Sequence, residues 1–317
     1  MGQRKNEGVV IEFFDDVPFP EFNWLVYRRL YVLEQWLRRI AFAAAMAKAG
    51  SSFFGVLPDG LAATLKQQQA LLRRRKHLGT QNADDALWLS NFEQLRDLLT
   101  SDAIYPTVKK LTGFERALLD GKIDEIREIR NVVAHNRAVS RETLTILDAH
   151  AMALSHGLEE FKRRMFAYEK DTIRSPGESE GSAIPALFHS RLRDLHPDLS
   201  DVLAFAESDL FNFALIVPPD YRVGSFDSAE EWLGTWVDLK HLLAEFADLR
   251  SHLLAITVAE RGSSFSVVWP RIESFEVHQA VVERFFASYD AYWADTEYAH
   301  QDERVVCDPK VWFHSVW

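Results

Sequence analysis

A long stretch of regularly spaced apolar residues near the start of the chain restricts the fold more than any other feature. Between Phe19 and Lys48, apolar side chains recur every three or four residues, at Val26, Leu30, Leu33, Leu37 and Ile40. This spacing gathers them on one face of an α-helix, and other elements must cover that face. Pro18 and Pro20 precede the stretch and Gly50 follows it, which are typical signals for the start and end of a helix.

Four further stretches in the first half of the chain predict helices. They cover residues 61–78, which Gly79 closes, residues 84–101, residues 114–139 with an interruption at Gly121, and residues from a cap at Ser140 to about 168. Short connections between five helices are typical of an antiparallel helical bundle.

The second half of the chain mixes the spacings of strands and helices. Residues 211–217, 253–258 and 264–269 predict strands, with Arg261 and Gly262 in a hairpin turn between the last two. Helical spacing covers residues 186–206, 228–249 and 273–294. The apolar C-terminal run 311–317 is expected to pack on its own domain or on a partner. These patterns predict a smaller α+β domain.

Two independent signals separate the halves. Residues 171–184 are rich in Pro, Gly and Ser and show no periodicity, as expected of a linker. Residues 1–172 hold 25 basic and 23 acidic residues, whereas the remainder holds 11 and 24, so that the net charges are +2 and −13. We therefore expect a mainly α protein, with a helical bundle in residues 1–170, a linker at 171–184 and an acidic α+β domain in residues 185–317.

Composition and motifs limit the cellular compartment in which this protein is expected and the kinds of cofactor site it is expected to contain. The chain has 317 residues and a single cysteine, Cys307, which excludes an internal disulfide and favours a reducing compartment. No apolar run approaches the ~20 residues of a membrane-spanning helix, and no signal-peptide pattern stands at the N-terminus, so we expect a cytoplasmic protein. The sequence contains no His-Glu-x-x-His, cysteine pair or glycine-rich phosphate loop, so neither a metal nor a cofactor is predicted.

Candidate chemistry is concentrated in one segment, residues 126–137. Arg127, Asn131 and His135 are spaced four residues apart and form a polar stripe along the predicted helix. Arg130 lies about 60° from the middle of the apolar face, so it is partly buried or extends along that face to solvent. On a straight helix Arg130 and His135 point about 140° apart, so a shared site requires a long reach or a bend.

The sequence Arg130-Asn131-x-x-Ala134-His135 resembles the signature of the HEPN superfamily. That signature is an arginine, often followed by asparagine, and a histidine after four to six residues, late in a helix of a small bundle. Only residues 19–168 carry the resemblance. Toxins of the family that pair with a nucleotidyltransferase antitoxin have a tyrosine two residues after the histidine, where this chain has Arg137, so that mode of regulation is not expected.

The resemblance implies metal-independent RNA cleavage, of a prokaryotic toxin or phage-defence kind. In that reaction the ribose 2′-OH attacks the adjacent phosphodiester and leaves a cyclic phosphate. Histidine exchanges protons near neutral pH, which suits His135 to proton transfer, and the planar fork of Arg130 suits a phosphate. Asn131 would orient either group. One histidine per chain does not readily serve as both general acid and general base. The resemblance therefore also implies a homodimer that joins two motif helices.

Further basic residues are candidates for holding RNA, namely Arg127, Arg137, Arg73, Arg74, Arg75 and Lys76. The cluster at 73–76 and Arg127 also have simpler interpretations. The cluster at 73–76 also suits the end of a helix, where positive charge is favourable, and Arg127 and Arg130 could pair with Asp124 or Glu128. The alternative function is a catalytically inactive HEPN-like dimer that acts as a scaffold, with a protein partner on the acidic half. A ligand sensor in the acidic half is compatible with both functions.

Overall fold

The computed structural model shows a mainly helical protein with a small antiparallel sheet near its C-terminus, which confirms the predicted balance of helix and sheet. The residues that the structure describes are 20–58, 60–74, 86–135, 137–165, 183–195, 203–216, 244–258, 265–294 and 312–313. The linker prediction at 171–184 therefore falls mostly outside the described residues, and so does the proposed hairpin turn at Arg261 and Gly262.

The described residues before 166 form six α-helices. They are α1 (Glu21–Ala49), α2 (Leu61–Arg74), α3 (Phe92–Thr100), α4 (Tyr105–Thr112), α5 (Arg116–Ala134) and α6 (Arg141–Met165). Short 3-10 helices occupy Gly50–Val56 and Ala86–Leu89. The apolar stripe of α1 is buried as predicted, and Ser140 caps α6 by accepting a hydrogen bond from the Thr143 backbone N–H at 3.2 Å.

Three predictions for this half were wrong in detail. The helix expected over 84–101 is interrupted at Asn91, whose side chain accepts a bond from the Gln94 N–H and starts α3 anew. Helix α4 was not predicted at all, although Pro106 stands in its first turn, where proline is favoured. Helix α5 runs without a break through Gly121 and ends at Ala134, five residues earlier than expected.

The described residues of the second half include two helices, α7 (Ala183–Leu195) and the long α8 (Phe275–Ala294). The strands are β1 (Leu203–Glu207), β2 (Phe211–Ile216), β3 (Ala255–Val258), β4 (Phe265–Pro270) and the two-residue β5 (Trp312–Phe313). Their order is β1-β2-β4-β3-β5, and every neighbouring pair is antiparallel. The predicted strands β2, β3 and β4 are confirmed. The helix predicted over 186–206 is confirmed for residues 186–195, which belong to α7, and is wrong for residues 203–206, which form β1. Residues 228–243 of another predicted helix lie outside the described residues.

The sheet separates two layers of helices. Side chains alternate between the faces of a strand, so Phe211, Ala255 and Val268 point to the core formed by α1–α6. Their neighbours Ile256 and Trp269 point to a second core under α7 and α8. The helical half and the sheet therefore share one continuous apolar core.

A polar contact at Glu273 joins the same two parts of the chain. Its carboxylate accepts a hydrogen bond from the Ser51 backbone N–H at 2.7 Å and contacts His252 Nδ1 at 3.0 Å. Gly50 has a φ of 55°, and a side chain there would meet the Glu273 carboxylate. Glycine at this position thus allows both the left-handed turn after α1 and the close approach of Glu273.

Candidate functional site

Helix α5 carries a positive charge at the point where its buried face would continue. Leu119, Ile123 and Ile126 are fully buried, and the next position in the same spacing is Arg130, which is exposed. A guanidinium cannot take the place of a core side chain without losing its hydration. The interface between α5 and α1 therefore opens at Arg130 instead of closing around another apolar residue.

The opening is a cavity of about 500 Å³ between α1 and α5. Its lining from α1 comprises Asn23, Trp24, Tyr27, Leu30, Tyr31 and Glu34, and α5 contributes Arg130, Val133 and Ala134. The volume falls within the range of small-molecule sites, and apolar walls with a few polar groups are typical of such sites.

Three aromatic side chains of α1 border this cavity and remain largely exposed. Trp24 is 60% exposed, and Tyr27 and Tyr31 are each 55% exposed, whereas the neighbouring apolar stripe of α1 is almost completely buried. Their spacing of three and four residues stacks them along one side of the helix. Exposed aromatic side chains in such a row are uncommon on a surface without a binding role.

A half-buried carboxylate stands at the end of this row. The guanidinium of Arg38 donates a hydrogen bond to Glu34 Oε1 at 2.7 Å and a second to the Ser90 carbonyl at 2.7 Å. Burial raises the pKa of the Glu34 carboxyl above its usual range, although the positive charges of Arg38 and Arg130 both oppose that rise. Arg130 is thus close enough to Glu34 to act on it electrostatically.

The guanidinium of Arg130 has capacity to bind a further group. Within the part of the chain that the structure describes, it forms no hydrogen bond and no ion pair, so the simpler interpretation by pairing with Asp124 or Glu128 does not hold for it. That interpretation does hold for Arg127, whose Nη2 lies 3.0 Å from both Asp124 Oδ1 and Glu128 Oε1. Of these two arginines, three residues apart, Arg127 is therefore paired with carboxylates, whereas Arg130 has no described partner.

His135 is the C-cap of α5, directly after its last residue, Ala134. Its φ of −91° and ψ of 18° leave the helical region, and the Arg137 N–H donates to the Val132 carbonyl at 3.2 Å, across the end of the helix. Its side chain is exposed and makes no hydrogen bond to any described residue, and it does not line the cavity. Asn131 is half-buried, and its amide likewise has no described partner. The structure thus places Arg130 in the cavity and His135 at the adjacent helix end.

The segment after His135 is fixed to α1 by one buried side chain. Asn23 donates from its amide to the Arg137 carbonyl at 2.9 Å and accepts from the Val139 backbone N–H at 2.9 Å. The Arg137 side chain is exposed, as are Arg73 and Arg74 in the last turn of α2. Arg75 and Lys76 lie outside the described residues.

The α1 side of this site was not predicted from the sequence. A second spacing of three, four and three residues, formed by Trp24, Tyr27, Tyr31 and Glu34, runs beside the apolar stripe and could have indicated it. Asn23 carried no such signal, because its partners lie 114 and 116 residues away in the sequence.

Within the described ranges, no group of three or more His, Cys, Asp or Glu residues is arranged to hold a metal ion. No single described helix is long and apolar enough to cross a membrane, while α1 with its 3-10 extension and α2, bent by 78°, pass that test only as a pair. A scan against protein-family models and searches of curated proteins and of solved structures found no significant match to this chain.

Proposed function

We propose that this chain is a HEPN-type endoribonuclease that cleaves RNA through attack of the ribose 2′-OH on the adjacent phosphodiester, without a metal. One observation carries the proposal. Arg130, the arginine of the Arg-x4-His motif, is exposed without a described partner and opens onto a cavity with aromatic walls. An available guanidinium beside aromatic rings is the combination that single-stranded RNA requires for its phosphates and bases.

The chemistry divides between two side chains. Arg130 would hold two phosphate oxygens and stabilise the negative charge that grows on phosphorus during the attack. His135 would take the proton of the attacking 2′-OH, or give one to the departing 5′-oxygen. The products are a 2′,3′-cyclic phosphate and a 5′-OH, so atoms and charge balance without another reactant.

The separation of these residues favours a site that two copies build together. Five residues of helix separate them by about 7.5 Å along the axis and about 140° around it. Since His135 is exposed at the end of α5, a second copy placed against this end would bring its own His135 near the first. A dimer of this kind would supply one histidine as base and the other as acid.

The test is incubation of the purified full-length protein with total cellular RNA in EDTA. We expect fragments with cyclic-phosphate ends, and cleavage slower by ~100-fold or more in Arg130→Ala and His135→Ala. Arg141→Ala and His156→Ala are matched controls, because both residues are exposed on α6 and lie outside the cavity. Undiminished cleavage by both motif variants would refute the assignment.

A second candidate function is a scaffold without catalysis, and the exposed row of Trp24, Tyr27 and Tyr31 favours it independently. Aromatic residues are enriched where proteins bind each other. In that case the protein would bind a partner with little dependence on salt, whereas RNA binding would weaken steeply as salt increases. The acidic second half, with a net charge of −13, would suit a basic partner.

A further inference from the structure

The cavity at Arg130 combines three kinds of group that together match one nucleotide. Its aromatic wall extends over two helical turns, from Trp24 through Tyr27 to Tyr31. Aromatic rings stack on the faces of all four bases. Successive rings on this side of α1 are about 5 Å apart along the axis, so a flat base can lie against one ring or insert beside two.

The charged groups of the cavity complement a single phosphodiester. Arg130 and Glu34 line the cavity, and Arg38, outside the lining, donates to Glu34, so that the three groups carry two positive charges and one negative charge when all are ionised. The net charge of +1 matches one phosphodiester, and Arg130 is the cation that lacks a described partner. A phosphate would therefore bind at Arg130, with the attached base on the α1 side.

Glu34 provides a means of telling one base from another. Only its Oε1 accepts a described hydrogen bond, from Arg38, which leaves Oε2 and the remaining lone pair of Oε1 for a ligand. Guanine presents two adjacent donors, N1–H and N2–H, on its Watson–Crick edge, and a carboxylate can accept both. Adenine and cytosine present one amino group on that edge, and uracil presents one ring N–H.

We propose that the cavity between α1 and α5 binds one unpaired nucleotide of the RNA substrate and prefers guanine. Its base stacks on Tyr27 and Tyr31, its Watson–Crick edge meets Glu34 one turn further along α1, and its phosphate meets Arg130. The inference deepens the proposed ribonuclease activity, on which it rests, by assigning the base preference of the same site. It makes Glu34 a specificity residue of the enzyme and Tyr27 and Tyr31 its base platform.

The test measures the binding of GMP, AMP, CMP, UMP and ribose 5-phosphate to the full-length protein by calorimetry. GMP is expected to bind most tightly, and ribose 5-phosphate most weakly because it has no base to stack. Glu34→Gln should weaken GMP binding about tenfold and leave UMP nearly unchanged. Tyr27→Ala and Tyr31→Ala should each weaken the binding of all four nucleotides, roughly fivefold or more, without changing their order.

Two control variants accompany these measurements. Glu21→Gln removes the other carboxylate of α1, which does not line the cavity, and Met152→Ala removes an exposed apolar side chain of α6. Both should bind all ligands as the wild type does. If Glu34→Gln does not fold, Glu34→Asp and the order of the four nucleotides on the wild type still decide the matter.

The outcomes also separate this inference from the proposed function. Equal affinity of the wild type for the four nucleotides, or an unchanged guanine preference in Glu34→Gln, would overturn the nucleotide pocket even if Arg130-dependent cleavage is observed. Guanine-selective binding that requires Glu34, together with no RNA cleavage, would support the pocket and overturn the ribonuclease.

Discussion

The side-chain oxygen of Asn23 accepts a hydrogen bond from the backbone N–H of Val139 at 2.9 Å, across 116 residues of sequence. The same side chain donates to the Arg137 carbonyl, and Asn23 is only 4% exposed. One asparagine of α1 therefore holds both ends of the segment 137–139, which begins two residues after His135. The position of the motif histidine depends in this way on the first turn of a distant helix.

We expect Asn23→Ala to lower the free energy of unfolding by about 2 kcal/mol, because it leaves the buried Val139 N–H and the partly buried Arg137 carbonyl without their partner. Denaturant unfolding measures the loss, and amide exchange at Val139 should accelerate. Asn91→Ala is the control, since it removes a helix cap outside the site and should cost about 1 kcal/mol. Equal losses in the two variants, with Val139 exchange unchanged, would contradict this role of Asn23.

Two helical glycines should respond to alanine in opposite directions. A methyl group at Gly157 of α6 would collide with the ring of Phe114, which is only 4% exposed and cannot move aside easily. Gly157→Ala should therefore lower the free energy of unfolding by roughly 2 kcal/mol. At Gly121 of α5 a methyl group meets nothing within 4 Å, so Gly121→Ala should raise it by about 0.5 to 1 kcal/mol. Thermal and urea unfolding check both signs, and a neutral Gly157→Ala would show that Phe114 can shift.

Glu160 should make stability depend on pH in the acidic range. Hydrogen bonds from Arg163 and Arg164 lower the pKa of the Glu160 carboxyl to about 2, with distances of 2.8 and 2.6 Å to Oε1. An acid with a lowered folded-state pKa stabilises the protein above its unfolded pKa of about 4.3, and this contribution is lost as the pH falls toward 2. Glu160→Gln should thus cost about 1 kcal/mol at pH 7, after allowance for solvent screening, and almost nothing near pH 2.

Urea unfolding of wild type and Glu160→Gln at a series of pH values measures that difference. Glu159→Gln is a suitable comparison, because Glu159 is more exposed and, among the described residues, pairs with the single cation Lys162. A constant difference between Glu160→Gln and wild type from pH 7 to pH 2 would exclude the charged hydrogen bonds as its cause.

Arg127 and Arg130 should differ in their contribution to RNA affinity. A guanidinium that contacts a phosphate of single-stranded RNA contributes about 0.7 to the slope of log affinity against log salt. Arg130→Ala should reduce the slope by that amount, whereas Arg127→Ala should leave it unchanged because Asp124 and Glu128 already engage that side chain. Affinities for an unstructured RNA at several salt concentrations provide the slopes, and identical slopes for the two variants would contradict the assignment of the phosphate to Arg130.

Residue spacing in the sequence was sufficient to predict the long helices and three of the strands. The stripe of α1, the cap of α6 at Ser140 and the strands β2, β3 and β4 were all found where expected, since each depends on contacts between neighbours in the chain. Helix α4 and strand β1 were missed. Helix α4 has only eight residues, and the sequence of β1 comes directly after a helical pattern that was extended over it.

The candidate site likewise has a part that the sequence predicts and a part that it does not. The sequence by itself determined that Arg130 stands beside an apolar helical face and that a motif with His135 exists. Only the tertiary structure decided that α1 lies across from Arg130, that Trp24, Tyr27 and Glu34 line the space between them, and that Asn23 holds the segment after His135. Periodicity states which face of a helix is buried, because that depends on the geometry of one helix. It does not state which distant residues cover that face, because many sequences can pack against the same apolar stripe.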